Sequence, residues 1–250
     1  MAMREADPYV QSAELYDLLS ETHWQARRAS LAATLEQVRD AEVVLDIGTG
    51  TGPYLPMLAA ALPVARIHAV EPSASMRVGL MTRIVADAEL RRRVSVQPVG
   101  FDDARLPARI DFAMVCGCLG FMDEAARARL WRRLAASLAP DARVLADLMP
   151  LDRPQVVDEM RAVSTEVGAH RYDVWLSGAP AGDDRVRWTT RYEQWDGEHL
   201  VRRFTVERDW HAFALTRLID EAAVAGLQAQ RLDASPVPAV LLRPQAAGAA

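Results

Sequence analysis

Two carboxylates and a run of alternating glycines are the residues whose types and spacing point to chemistry. Asp46 closes the apolar, β-rich run Val43-Val44-Leu45, and Gly48, Gly50 and Gly52 follow at every second position. Pro53 and Pro56 then open an apolar segment, as proline does in the first turn of a helix. A strand, a tight turn and a helix N-terminus in that order bring a ligand against backbone N–H groups. Glycine spacing decides which ligand. A dinucleotide turn requires G-x-G-x-x-G, but counted from Gly48 the third glycine falls on Pro53, and counted from Gly50 on Leu55. Both registers fail. No G-x-x-x-x-G-K-[ST] occurs, and the chain contains no lysine to complete one. The run Arg66-Ile67-His68-Ala69-Val70 reads as the next strand and ends in Glu71, an acid positioned to accept hydrogen bonds from both hydroxyls of a ribose. The cysteines are Cys116 and Cys118. C-x-C with no histidine nearby is a weak metal signal, so no metal is expected.

The stretch Asp46-Ile47-Gly48-Thr49-Gly50-Thr51-Gly52 resembles motif I of the class I S-adenosylmethionine-dependent methyltransferases. Glu71 stands where that family carries its ribose-binding acid. The resemblance implies S-adenosyl-L-methionine as cofactor, with Asp46 holding the loop and the cofactor's amino group. The backbone around Gly48, Thr49 and Gly50 would cradle the methionine part, Glu71 would fix the ribose, and Pro72 and Met76 would lie near adenine and ribose. After a third strand, Val94 to Val99, the family places an acid and a backbone N–H at the adenine. Asp102 is assigned the first role, with Asp103 its close competitor, and Phe101 the second. The fourth strand, Ile110 to Val115, ends in this family beneath the transferable methyl group, which brings Cys116 and Phe121 to the border of the chemistry.

The N-terminal segment PYVQSAELYDLLSE resembles the lid of small-molecule methyltransferases, so Tyr9 and Tyr16 are expected to line the active site. Neither [DNS]-P-P-[YFW] nor a Pro-Cys pair follows the fourth strand, which removes two nucleic-acid-base acceptor signatures. The lid is similar to that of tailoring N-methyltransferases of secondary metabolism and antibiotic biosynthesis, acting on amines of amino sugars or amino-acid-derived groups. O-methylation of a small hydroxylated metabolite is the alternative, followed by a non-catalytic or non-methylating member of the fold.

The whole chain agrees with such an enzyme. Its 250 residues, 50% hydrophobic and 25% charged, suit one large globular domain with a proper core. A net charge of −5 argues against a broad nucleic-acid footprint. No apolar run reaches membrane-spanning length, and the polar Met1–Asp7 stretch lacks an apolar signal core. With its sparse cysteines, the expectation is a cytoplasmic protein acting on a small molecule.

These residues need elements to position them. Helical spacing is read over Tyr9 to Leu19, then over a second helix carrying Trp24, Leu31 and Leu35. Leu55 to Leu62 forms a short helix. Ser73 caps the next, with Met76, Leu80, Ile84 and Val85 inside. Asp123 caps another, with Leu130, Leu134 and Leu138 inside and Arg127, Arg129, Arg132 and Arg133 outside. A strand from Ala142 to Leu148 completes an alternation that implies an α/β fold: a Rossmann-like, seven-stranded, mostly parallel sheet with helices on both faces.

From Met149 the texture changes. Asp152 to Val167 reads as helix, Arg171 to Leu176 follows, and Ser177 to Asp184 reads as a loop. A hairpin runs from Val186 through the Asp196-Gly197 turn to Trp210. This inserted antiparallel hairpin would form an acceptor-pocket wall or a subunit interface, leaving a homo-oligomer open. Met149, Tyr172, Trp175 and Trp188 are the candidates for that wall. His199 and His211 lie on the same element as candidate bases. Phe213 to Ala225 is a helix, and Leu227 to Leu232 and Val240 to Arg243 form a final antiparallel pair. The expected divisions are a lid at 1–40, a cofactor-binding core at 41–150, the insert at 151–212, and the end of the core sheet with its tail at 213–250. The tail from Gln245 to Ala250 is expected to be disordered.

Overall fold

A computed structural model describes residues 7–245. The polar N-terminal stretch up to residue 6 and the tail beyond Gln245 lie outside the described residues.

Seven strands form one sheet: β1 (Val43–Ile47), β2 (Arg66–Val70), β3 (Val94–Gln97), β4 (Ile110–Val115), β5 (Leu138–Asp147), β10 (Leu227–Arg231) and β11 (Ala239–Pro244). Their order is β10-β11-β5-β4-β1-β2-β3, with β1 to β5 parallel and β11 antiparallel to both neighbours. Alternate residues of a strand face opposite ways, so Val44 and Leu45 feed two separate apolar cores. Val44 packs with Leu31 of α1 (Tyr16–Leu35), Leu55 and Leu58 of α2 (Leu55–Ala61) and Leu80 of α3 (Ala74–Ala86). Leu45 packs with Trp131 of α5 (Glu124–Ser137) and Leu218 of α6 (Leu215–Val224). Helices therefore cover both faces. Between α3 and β3 lies the short α4 (Ala88–Arg93).

Both expected helix caps form. Ser73 Oγ accepts from Met76 N, and the Asp123 carboxylate accepts from Ala126 N. Three side-chain expectations on these helices are corrected. Val85 is 58% exposed, and Leu138 is half-buried at the start of β5. Arg127 is buried, because its guanidinium clamps Glu221 of α6 at 2.7 Å and stacks over the Phe213 ring. The two expected N-terminal helices are one. A turn over Pro8–Ser12 and a single 3₁₀ turn (Ala13–Leu15) lead into the unbroken α1.

The insert after β5 is larger than a hairpin. It is a four-stranded antiparallel sheet in the order β6 (Val157–Val167), β7 (His170–Pro180), β8 (Arg185–Asp196), β9 (His199–His211). The segment 152–167 is not helical: its β-branched residues, Val157, Val163, Thr165 and Val167, pair along β7. Register shifts between Val157 and Met160, and between Arg161 and Val163, break strict alternation. Exposure of most of β6 weakens the apolar signal further. β7 also runs on to Pro180, into the expected loop. One face of this sheet packs Val174, Tyr192 and Val206 against Leu15, Leu18 and Leu19 of the N-terminal segment.

Candidate active site

Parallel pairing sets Asp46 beside Ala69 of β2 and Met114 of β4, so its carboxyl group emerges where the central strands end. The loop that follows turns back on β2. Gly48 N donates to Val70 O at 2.8 Å with φ +70°, a left-handed conformation that favours glycine. A Cβ at Gly48 would run into the Cys118 side chain, whereas Gly50, at φ +61°, faces open space. Glu71 organises the loop from the next strand: its two carboxylate oxygens accept from Gly50 N and Ser73 N, each at 2.8 Å. Thr49 Oγ1 donates to Asp46 O at 3.0 Å.

Electrostatics here is dominated by burial. Asp46 is 6% exposed, and desolvation pushes its carboxyl up to about 7, with the Thr49 hydroxyl opposing and Glu71 adding a smaller upward push. Among the described residues no arginine or histidine forms an ion pair with Asp46. Burial also raises Glu71 above the usual carboxylate range, against the pull of the Ser73 and Gly50 N–H groups. A buried carboxyl without a cation beside donor-rich, left-handed backbone fits a ligand that brings its own positive charge.

The remaining cofactor candidates divide. Met76 is buried in the first turn of α3, and Pro72 is exposed beside Glu71. Phe101 is buried with its ring under Arg133. Asp102 is half-exposed and tied to Arg129 at 2.8 Å, which holds its carboxylate below the usual range. Asp103 is exposed beside it. Cys116 Sγ lies against Leu145 O inside the core, and Cys118 Sγ lies against Ile47 O. Burial raises both thiols.

The N-terminal segment is strapped across the loop. The Asp7 carboxylate accepts from Ser73 Oγ and Ser75 N, and Asp17 accepts from Thr51 Oγ1 and Arg83. Further along α1, Arg27 pairs with Asp147, whose carboxylate also takes Gly117 N at 2.8 Å. Under these straps Tyr9 and Tyr16 meet edge-on, 5.4 Å apart. Burial raises both phenols, Tyr16 to about 12, with the nearby Glu71 carboxylate adding to the shift. Phe121 meets Tyr9 at 6.2 Å and Trp210 at 4.6 Å. The indole of Trp210 lies directly on Gly120.

The four wall candidates separate. Tyr172 lies on the sheet face that meets the N-terminal segment, and Trp188, paired across the strands with Arg208, shares that face. Trp175 does not join them. It points to the opposite face, where Nε1 donates to Glu193 and the Arg161 and Arg191 guanidiniums cover the ring. Met149 lines a cavity of about 700 Å³ with Phe213 and Pro238, beyond the end of β5. His211 points away from Trp210, its neighbour on the strand, and pairs with Asp184 at 2.7 Å. His199 is exposed at the far end of β9. Trp210, Arg208, Asp7, Asp17 and the Arg27–Asp147 pair escaped the sequence reading. Only Trp210 carried a signal, its alternation with Phe204 and Val206 along a strand.

A strand–glycine loop–helix with a buried acid at the end of β1 and another after β2, set in this sheet order, defines a class of protein. Residues 44–141 match the family model described as a methyltransferase domain. No curated protein sequence matches the chain. Solved structures share its fold over nearly its whole length. One is the sugar N-methyltransferase KedS8 from Streptoalloteichus, 20% identical, covering 92% of this chain and 93% of that one with a TM-score of 0.71. Another is DesVI from Streptomyces venezuelae, 18% identical, covering 93% and 98% with a TM-score of 0.72. A third is CalS10, an amino pentose methyltransferase from Micromonospora, 17% identical, covering 90% and 96% with a TM-score of 0.70. Residues 44–141 therefore carry a methyltransferase domain, and the chain as a whole shares the fold of these methyltransferases. Among the described residues no cluster of metal-ligating side chains occurs, and no helix is long and apolar enough to cross a membrane.

Proposed function

We propose that the enzyme transfers a methyl group to an amine nitrogen of a small-molecule acceptor of the amino-sugar or natural-product type. The observation that carries this reading is the chemistry of the groups gathered under the N-terminal segment. Tyr9, Tyr16 and Cys118 are protonated at neutral pH in their ordinary state, and burial moves each further from ionising. A hydroxyl acceptor needs a base to raise its nucleophilicity. An amine needs only to be delivered uncharged, because it attacks through its lone pair and sheds its proton to solvent. A site of neutral aromatics that positions and dries the reactants suits the second case. The N-methylating and amino-sugar activities in the names of KedS8 and CalS10 agree with it.

In this reading residues 1–40 act as a lid. Asp46 takes the cofactor's ammonium, the backbone of Gly48, Thr49 and Gly50 holds its methionine part, and Glu71 takes the ribose hydroxyls. Pro72, Met76 and the backbone of Phe101 border the nucleoside. Asp102 takes the adenine amino group, its carboxylate held from the other side by Arg129. S-Adenosylmethionine supplies the electrophilic methyl group. Tyr9 and Tyr16 pack at the point of transfer, with Phe121, Tyr172 and Trp188 beyond them.

The test is product mass. Amino sugars and hydroxy sugars matched in every other respect are incubated with S-adenosylmethionine. Addition of one CH₂ to the amine partner only, with release of S-adenosylhomocysteine, is the expected result. Methylation of the hydroxyl partners instead would overturn the amine assignment.

A further inference from the structure

We propose that Arg208 is a positioning residue that latches the N-terminal lid over the cofactor. It rests on the lid reading but not on the identity of the acceptor. Phe204, Val206, Arg208 and Trp210 alternate along β9 and so share one face. Each meets a different depth of the site. Phe204 stacks on Tyr192, Val206 packs with Leu15, and Trp210 covers Gly120 and Phe121. Two cations share that face: Arg202 pairs with Glu14 at 2.8 Å, and Arg208 reaches the turn that carries Tyr9.

Its contacts are of three kinds, all to one short stretch. Nε and Nη2 donate to Pro8 O at 3.2 and 3.1 Å. Nη2 also donates to Ser12 Oγ, whose residue is fully buried. The guanidinium carbon stands 4.2 Å from the centre of the Tyr9 ring. A planar guanidinium can stack on an aromatic face and donate in its own plane at once. The turn has few other ties to the body. Tyr9 N, Ser73 Oγ and Ser75 N donate to the Asp7 carboxylate, and beyond Ser12 the first buried apolar anchor is Leu15. Arg208 thus fixes the ring that, in the proposed mechanism, packs beside the transferred methyl group, and it does so from an element nearly 200 residues away in the chain. Opening the lid breaks these contacts together. Closing it restores them together, which makes the residence time of the cofactor depend on a side chain that never touches it.

The experiment compares Arg208→Met, Arg208→Lys and Arg187→Met in the full chain, with S-adenosylmethionine as the only ligand. Arg187 lies on the opposite face of the same sheet, paired with Asp209 at 2.7 Å. Stopped-flow tyrosine and tryptophan fluorescence reads cofactor dissociation, and thermal melts read folding. Arg208→Met is expected to speed dissociation about tenfold with an unchanged melting temperature. Arg208→Lys, which keeps the cation over the ring but loses the fork, should fall between it and wild type. Arg187→Met should match wild type. Wild-type dissociation from Arg208→Met, or equal acceleration in Arg187→Met, would overturn the latch. If Arg208→Met does not fold, the lysine variant decides by the same criterion. Absence of cofactor binding by the wild type would instead sink the cofactor assignment itself.

Discussion

The two halves of the proposed active site are built by opposite means. On the cofactor side, Asp46, the glycine loop and Glu71 lie within 26 consecutive residues, and their contacts are backbone hydrogen bonds at the ends of adjacent parallel strands. On the acceptor side, Tyr9, Phe121, Arg208 and Trp210 come from three distant parts of the chain and meet through ring edges and a guanidinium. The first half is tied down by hydrogen bonds, Gly48 N to Val70 O and Gly50 N to the Glu71 carboxylate, at positions whose left-handed backbone favours glycine. The second is a packed surface of side chains, able to be reshaped without disturbing the sheet. The lesson is that a fixed chemistry sits on local geometry and an adaptable specificity on long-range contacts.

That division can be broken or sharpened by substitution, from the largest expected effect downward. Glu71→Ala, which strips Gly50 N and Ser73 N of their acceptor, should weaken S-adenosylmethionine about a hundredfold or more by calorimetry, while circular dichroism still shows the folded sheet. Unchanged affinity would mean the loop does not hold the cofactor. Gly120→Ala places a methyl group inside the Trp210 indole and should cost about 1–3 kcal/mol of stability. Its signature should be a raised acceptor KM with cofactor affinity nearly intact, and an equal loss of both would erase the distinction between the halves.

Tyr9→Phe and Tyr16→Phe keep the edge-on packing and remove only the hydroxyls. Each is expected to lower kcat about tenfold while the cofactor dissociation constant moves less than about threefold. Wild-type turnover from both would reduce them to packing residues.

The smallest effect is in pH. Asp46 titrates near 7 in the folded chain against 3.8 in its ordinary environment. Cofactor affinity should therefore rise as pH increases through about 7 and the carboxylate forms. Stability runs the other way. A carboxyl group whose folded pKa is raised contributes most below the unfolded value and loses that contribution as pH climbs toward 7. Asp46→Asn should flatten both profiles between about pH 4 and 8, read by calorimetry and by thermal melts of the ligand-free protein. Profiles parallel to wild type would place the titration elsewhere.

What could be read in advance follows the same line. Asp46, the glycine spacing and Glu71 were legible because strand, turn and helix signals are contiguous there. So were the caps at Ser73 and Asp123. The insert was half legible. Asp196-Gly197 announces its hairpin, but β6 hides its strand character behind register shifts and an exposed face. Arg127 looked like a surface residue because its partner, Glu221, is 94 residues away. Arg208 was invisible for the same reason, and Trp210 showed only its alternation along the strand, not its partners. A contact closed only by tertiary structure leaves no local period.

The most direct test of the central claim is a calorimetric titration of the wild-type chain with S-adenosylmethionine and, separately, with NADH. A loop of alternating glycines closed by Asp46 and Glu71 predicts micromolar binding of the first and none of the second. Binding of NADH, or no response to S-adenosylmethionine at any pH above 7, would contradict the account.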